Sequence, residues 1–400
     1  MYSDTIALED KYMVSFGVKS PIVIERGSGV SVWDEGGNHF LDFTAGWAVT
    51  SLGHSHPVFL KALAEQASRI CQNPDSGLTY SPARGRLCAQ LIKILPPELH
   101  HFFFVNSGAE ATDAALKLSR KITGRKWIVS TSKSFHGRTI GATSVTGQSV
   151  QRDRYDVLVP YCRFVSFNDV DAAREAIDED VAAVIVEPIQ GEGGVWVSSE
   201  DYLMQISRLC EKSGALLIVD EIQTGFWRTG PAFASTAQGV LPDFITMAKG
   251  IAGGFPFGCV AVSQGAMKGI EHGDHGGTYC GNPLGCAVAA AVIEYLISID
   301  IGSWVKQLGS LCKSRLEQIA KRFPDVVKEV RGCGLLFAIE FKTEQTAQRV
   351  HAAALSNGLI LNIKHGTIIR IFPALTINKG ELLEGLSILE SAVTRAIEIP

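Results

Sequence analysis

The sequence predicts an α/β fold. A large domain over about residues 46–304 is built on a mainly parallel, doubly wound sheet, and a smaller α+β domain is made from both chain ends, 1–45 and 305–400. Two observations predict this. Continuous apolar runs, such as Val-Ala-Ala-Val-Ile-Val at 181–186 and Leu-Leu-Ile-Val at 216–219, read as strands covered on both faces. Such runs alternate with helical patterns, and 400 residues is too long for one small core.

The elements follow in order. Residues 16–45 read as a small meander, with short strands at 22–24, 30–33 and 39–43 broken by Gly27, Gly29, Gly36 and Gly37. Pro57 opens a helix to residue 67. A strand at 102–105 leads into a helix from Ser107, with Ala111, Ala115, Leu118 and Ile122 on one face and Gly124 as its stop. Buried strands at 126–129, 181–186, 216–219 and 244–247 come next. Asn282-Pro283, a capping side chain and then a proline, starts a helix to 297. Beyond 304 the order is helix to 322, strand 334–340, helix 345–356, strands 359–363 and 368–371, and a last helix from Lys379. No repeat, low-complexity stretch or linker interrupts it.

Composition excludes several functions. Charged residues are 20% of the chain and the net charge is −4 with no long basic run, so nucleic-acid binding has no electrostatic support. The first residues lack the basic-then-apolar order of a signal peptide, and no apolar run reaches membrane-spanning length; a cytoplasmic protein is expected. The nine cysteines are scattered, never as Cys-x-x-Cys, and read as reduced thiols. His54-Ser-His56 sits in a loop before Pro57 and reads as structural, so no metal is expected.

The candidate chemistry lies just after strand ends. Lys249, followed by glycine, ends one apolar strand, and Asp220 ends another. Together they suit an amine that holds an aldehyde cofactor as a Schiff base and a carboxylate that pairs with a pyridine nitrogen. Gln223 could reach the ring's phenolic oxygen. Asn106-Ser-Gly-Ala-Glu-Ala joins a strand to a helix, whose free amides bind phosphate; alone it also reads as an ordinary capped turn. Phe135 could stack on a flat ring or fill the core, and Arg138 could clamp a carboxylate or make a surface ion pair. Glu187 and Glu192 follow a buried strand, where a carboxylate needs a partner or caps a turn.

These segments resemble the class III, ornithine/acetylornithine-type aminotransferases of pyridoxal-phosphate fold type I. The resemblance runs essentially end to end and is most specific over 217–258, with Val-Asp-Glu-Ile-Gln-Thr-Gly and Ala-Lys-Gly. It implies that Lys249 holds pyridoxal phosphate and that Asp220 partners the ring nitrogen. It also implies that Gln223 contacts the phenolic oxygen and Phe135 stacks on the ring, with His136 and Glu187 beside them. Ser107, Gly108 and Ala109 would hold the phosphate, and Thr278 would reach the phosphate of the neighbouring subunit in a homodimer with shared sites. Arg370 matches the arginine for the substrate α-carboxylate, Glu192 the glutamate that neutralises it, and Arg138 the arginine for the far carboxylate. The implied reaction moves an amino group from an ω-amino donor such as N-acetylornithine to a 2-oxo acid, with 2-oxoglutarate foremost. A decarboxylase or racemase of the same fold, or a transaminase of another ω-amino acid or amine, would use the same cofactor. The pattern departs at Trp47, on the expected wall of the substrate pocket, and at Trp227 and Cys280, which stand where glycine is common.

Overall fold

The computed structural model describes residues 2–398. Its central sheet has the strand order His101–Val105, Gly258–Val262, Phe244–Met247, Leu216–Asp220, Val181–Val186, Trp127–Thr131, Cys162–Val165. From Phe244–Met247 to Cys162–Val165 every pairing is parallel. Gly258–Val262 runs antiparallel to both of its neighbours. The continuous apolar runs have the cause read from them. In Val181–Val186 every residue is buried. Ala183 and Ile185 join the core under the helix Gly108–Thr123, and Val184 and Val186 join the one under Tyr202–Ser213. Helices on both faces make the sheet doubly wound.

The chain ends build two further sheets. Ile24–Ser28, Ser31–Asp34 and His39–Asp42 form a meander that Leu359–Ile360 extends in parallel. Val327–Cys333, Leu336–Phe341, Ile368–Ile371 and Asn362–Lys364 form an antiparallel sheet in that order. Three expectations change. The first meander strand lies at Ile24–Ser28 and not at 22–24, because its ladder closes on Ser31 through Gly29, which sits at φ 58°. The run 359–363 divides between two sheets. The strand Val327–Cys333 carries charged residues on a half-exposed surface and so lacks an apolar signature.

His54-Ser-His56 is structural. His54 Nε2 meets Asp42 Oδ2 at 2.9 Å, and His56 Nδ1 accepts the Val58 N–H at the start of the helix Pro57–Ala67. Among the described residues, no group of three or more metal-ligating side chains forms and no single helix is long and apolar enough to cross a membrane.

Candidate active site

The parallel strands and His101–Val105 all point their C-terminal ends the same way, and the loops after them enclose a cavity of about 420 Å³. Ser107, Gly108, Ala109, Phe135, His136, Arg138, Glu187, Glu192, Asp220, Gln223 and Lys249 all line it. Gly254, Phe255, Pro256 and Phe257 line it too, and the sequence reading missed them. They precede Gly258–Val262, whose antiparallel course brings its N-terminal end to the edge where the other strands finish.

One end of the cavity is a helix start. Ser107 caps Gly108–Thr123 by accepting the Glu110 N–H at 3.2 Å, and the Glu110 carboxylate accepts the Asn106 N–H at 2.7 Å. The remaining first-turn amides have no intrahelical acceptor, and the helix dipole adds positive potential there. This end suits a phosphate dianion.

The middle holds the ionisable groups. Asp220 Oδ2 lies 2.7 Å from His136 Nδ1, and its Oδ1 accepts the Ile222 N–H at 3.0 Å. His136 Nε2 is buried without a partner. Glu187 accepts the Phe135 N–H at 3.1 Å; burial, and then the neighbouring Asp220 charge, hold its carboxyl well above the usual range. Desolvation pushes the Lys249 amine below its usual value. Lys249 also sits at φ 46°, a left-handed conformation that costs energy in a residue with a side chain. Both amide atoms of Gln223 are buried and unpartnered. A Cβ on Gly191 would meet its Oε1, so a side chain there would push the Gln223 amide aside.

Behind the cavity wall Arg370, 1% exposed, donates from Nη1 to Glu192 Oε1 at 2.7 Å and to Gly191 O at 3.0 Å. Burial alone would raise the Glu192 carboxyl, but Arg370, Lys249 and Lys364 outweigh it and bring the carboxyl down to about 2. Arg138 stands at the open side, 5.5 Å from the Phe135 ring centroid.

These residues fit pyridoxal phosphate. The helix start suits its phosphate, Asp220 a ring nitrogen, the unpartnered Gln223 amide a phenolic oxygen, and Lys249 an aldehyde. Two expected residues lie elsewhere. Thr278 is exposed in a loop whose carbonyl accepts from Gln72 Nε2 at 2.6 Å. Trp47 is 58% exposed on a left-handed turn, in which Ala45, Gly46, Trp47 and Ala48 all have positive φ. Neither is among the residues lining the cavity of its own chain.

Comparison with known proteins agrees with this geometry. The family model described as Aminotransferase class-III matches residues 13–393. Acetylornithine aminotransferase of Methanothermobacter thermautotrophicus is 39% identical over 98% of this chain and 98% of its own. Succinylornithine transaminase of Salmonella enteritidis is 39% identical over 94% and 93%. Ornithine aminotransferase from Toxoplasma gondii, a structure with partial occupancy of pyridoxal phosphate at its active site, superposes with a TM-score of 0.95 at 31% identity, covering 100% of this chain and 95% of that one. With the match running nearly end to end, the chain belongs to the class III aminotransferases.

Proposed function

We propose that this enzyme uses pyridoxal phosphate to move the amino group of an acetylornithine- or ornithine-like ω-amino donor to a 2-oxo acid, with 2-oxoglutarate as the acceptor. The observation that carries the reading is a desolvated lysine amine in a cavity flanked by two guanidinium groups, Arg138 and Arg370, the second neutralised by Glu192. Bound there, the cofactor supplies an aldehyde that captures the donor amine and a ring that takes up the electron pair left by a departing proton.

The chain does the rest. Ser107, Gly108 and Ala109 would hold the cofactor's phosphate, Phe135 would offer a face to its ring, and Asp220, oriented by His136, would keep its ring nitrogen protonated. The unpartnered Gln223 amide would bind its phenolic oxygen. Lys249 Nζ is the base that removes the proton from the amine-bearing carbon; desolvation disfavours its charged form, which is the direction the step needs. Arg138 grips the donor's α-carboxylate, so the distal amine reaches the reacting centre. With Arg370 covered by Glu192, no second carboxylate is demanded of the donor. The acceptor has two carboxylates and uses both arginines once Glu192 turns aside. Thr278, exposed and outside its own cavity, serves the partner subunit's phosphate in a cytoplasmic homodimer, and Trp47 walls the substrate entrance.

The test is the visible absorption band of the bound cofactor. Acetylornithine or ornithine alone is expected to bleach it and 2-oxoglutarate to restore it. A band that no ω-amine bleaches, or release of CO₂ from the donor, overturns the reading.

A further inference from the structure

Glu192 is held from two sides. Its Oε1 takes Arg370 at 2.7 Å, and its Oε2 takes Lys364 Nζ at 3.0 Å. Lys364 ends the short strand Asn362–Lys364. The same strand fixes the arginine, because Asn362 Oδ1 accepts Arg370 Nε at 2.8 Å. The backbone around Glu192 is pinned at four successive carbonyls. Gly191 O accepts from Arg370, Glu192 O from His365 Nε2 at 3.2 Å, Gly193 O from Trp196 Nε1 at 3.0 Å, and Gly194 O from Arg331 Nε at 2.7 Å. With the loop and the arginine both held, the part left free to move is the Glu192 side chain.

A carboxylate leaving Arg370 in this interior needs another cation, since an unpaired buried charge is costly. Lys249 faces Glu192 as well, but its amine is the reacting group and is desolvated toward neutrality. Lys364 is already bonded, its side chain is 21% exposed, and its flexible stem can follow the carboxylate. While Arg370 shares the load, Lys364 adds a second partner. Once a substrate carboxylate takes the place of Glu192 on Arg370, Lys364 becomes the partner that remains, so it is worth more in the open arrangement than in the closed one.

We propose that Lys364 is the positioning residue that carries Glu192 when Arg370 takes the acceptor's α-carboxylate, and so sets affinity for the oxo acid and not for the ω-amine donor. The inference rests on the transaminase reading above. It is tested on holoenzyme with K364M and K364R. The two half-reactions are followed separately by rapid mixing, and binding of glutarate, a dicarboxylate with no oxo group, is measured by calorimetry. K364M is expected to raise the glutarate Kd and the oxo-acid KM by about five- to tenfold, with the donor half-reaction unchanged and K364R largely restored. An unchanged or lower glutarate Kd, or equal loss in both half-reactions, overturns the proposal. A wild-type enzyme that exchanges no amino group sinks the transaminase reading instead, while the glutarate titration still reads Lys364.

Discussion

At the scale of single residues, charge placement decides the behaviour of the site. Lys249 is a poor surface lysine and a good base for one reason: desolvation disfavours its charged form. K249A should lower turnover by about 10³-fold or more while leaving the thermal midpoint close to wild type, as read by steady-state assay and calorimetry. Glu187 makes an opposite prediction about stability. Its folded pKa lies above its ordinary 4.5, so the folded chain keeps a proton that the unfolded chain releases. The resulting cost is absent below about 4.5 and grows as pH rises toward the folded value. E187Q keeps an oxygen for the Phe135 N–H and cannot ionise. Its melting temperature relative to wild type should therefore rise from pH 5 to pH 8, by about 2 °C; a gap constant with pH would contradict the assignment. Glu192 has the reverse sign. Its contribution is present above its ordinary value and is lost as pH falls toward about 2.

At the scale of elements, the helix Gly108–Thr123 serves both the fold and the site. S107A removes the acceptor of the Glu110 N–H and should cost about 1 kcal/mol in urea unfolding. It should also weaken retention of the cofactor; a variant with the stability loss but unchanged cofactor affinity would separate the cap from phosphate binding. This helix was legible in the sequence because Ser107, the apolar stripe and Gly124 are all local signals, and Gly124 does sit at φ 66°. The strands ending at Asp220 and Met247 were legible because burial on both faces leaves an unbroken apolar run. The strand Gly258–Val262 was not read from the sequence at all, although all five of its residues are buried; its antiparallel course was equally hidden, since side-chain pattern carries no record of strand polarity, and Phe255, Pro256 and Phe257 went unnoticed with it. Lys364 and Asn362 were invisible for a related reason. The partner of Lys364 lies 172 residues away, and Asn362 meets Arg370, 8 residues on, only because the turn between Asn362–Lys364 and Ile368–Ile371 pairs the two strands.

At the scale of the whole molecule, Thr278 supplies the prediction. T278V should leave the fold unchanged and weaken cofactor binding about tenfold, measured by titration of the cofactor-free enzyme. Mixing T278V chains with K249A chains should then restore tight binding and turnover, because one cavity of each hybrid dimer combines Lys249 of one chain with Thr278 of the other. No recovery after subunit exchange would mean that each chain completes its own site. The family assignment, the α/β class and the strand-end location of the site were all readable before the structure. The proposed reach of Thr278 to a second chain rests on the resemblance alone, since nothing local in the sequence marks a residue that acts across an interface.

The four anchored carbonyls around Glu192 have a consequence for time. Releasing a pinned loop is a local unfolding that takes microseconds to seconds, whereas rotamer changes of exposed side chains take picoseconds to nanoseconds. If the passage from donor to acceptor requires only the Glu192 side chain to turn, it outpaces the usual 1–10³ turnovers per second by orders of magnitude. Alternation between two unlike substrates then imposes no delay of its own. Stiffening the loop further should then leave the turnover rate untouched.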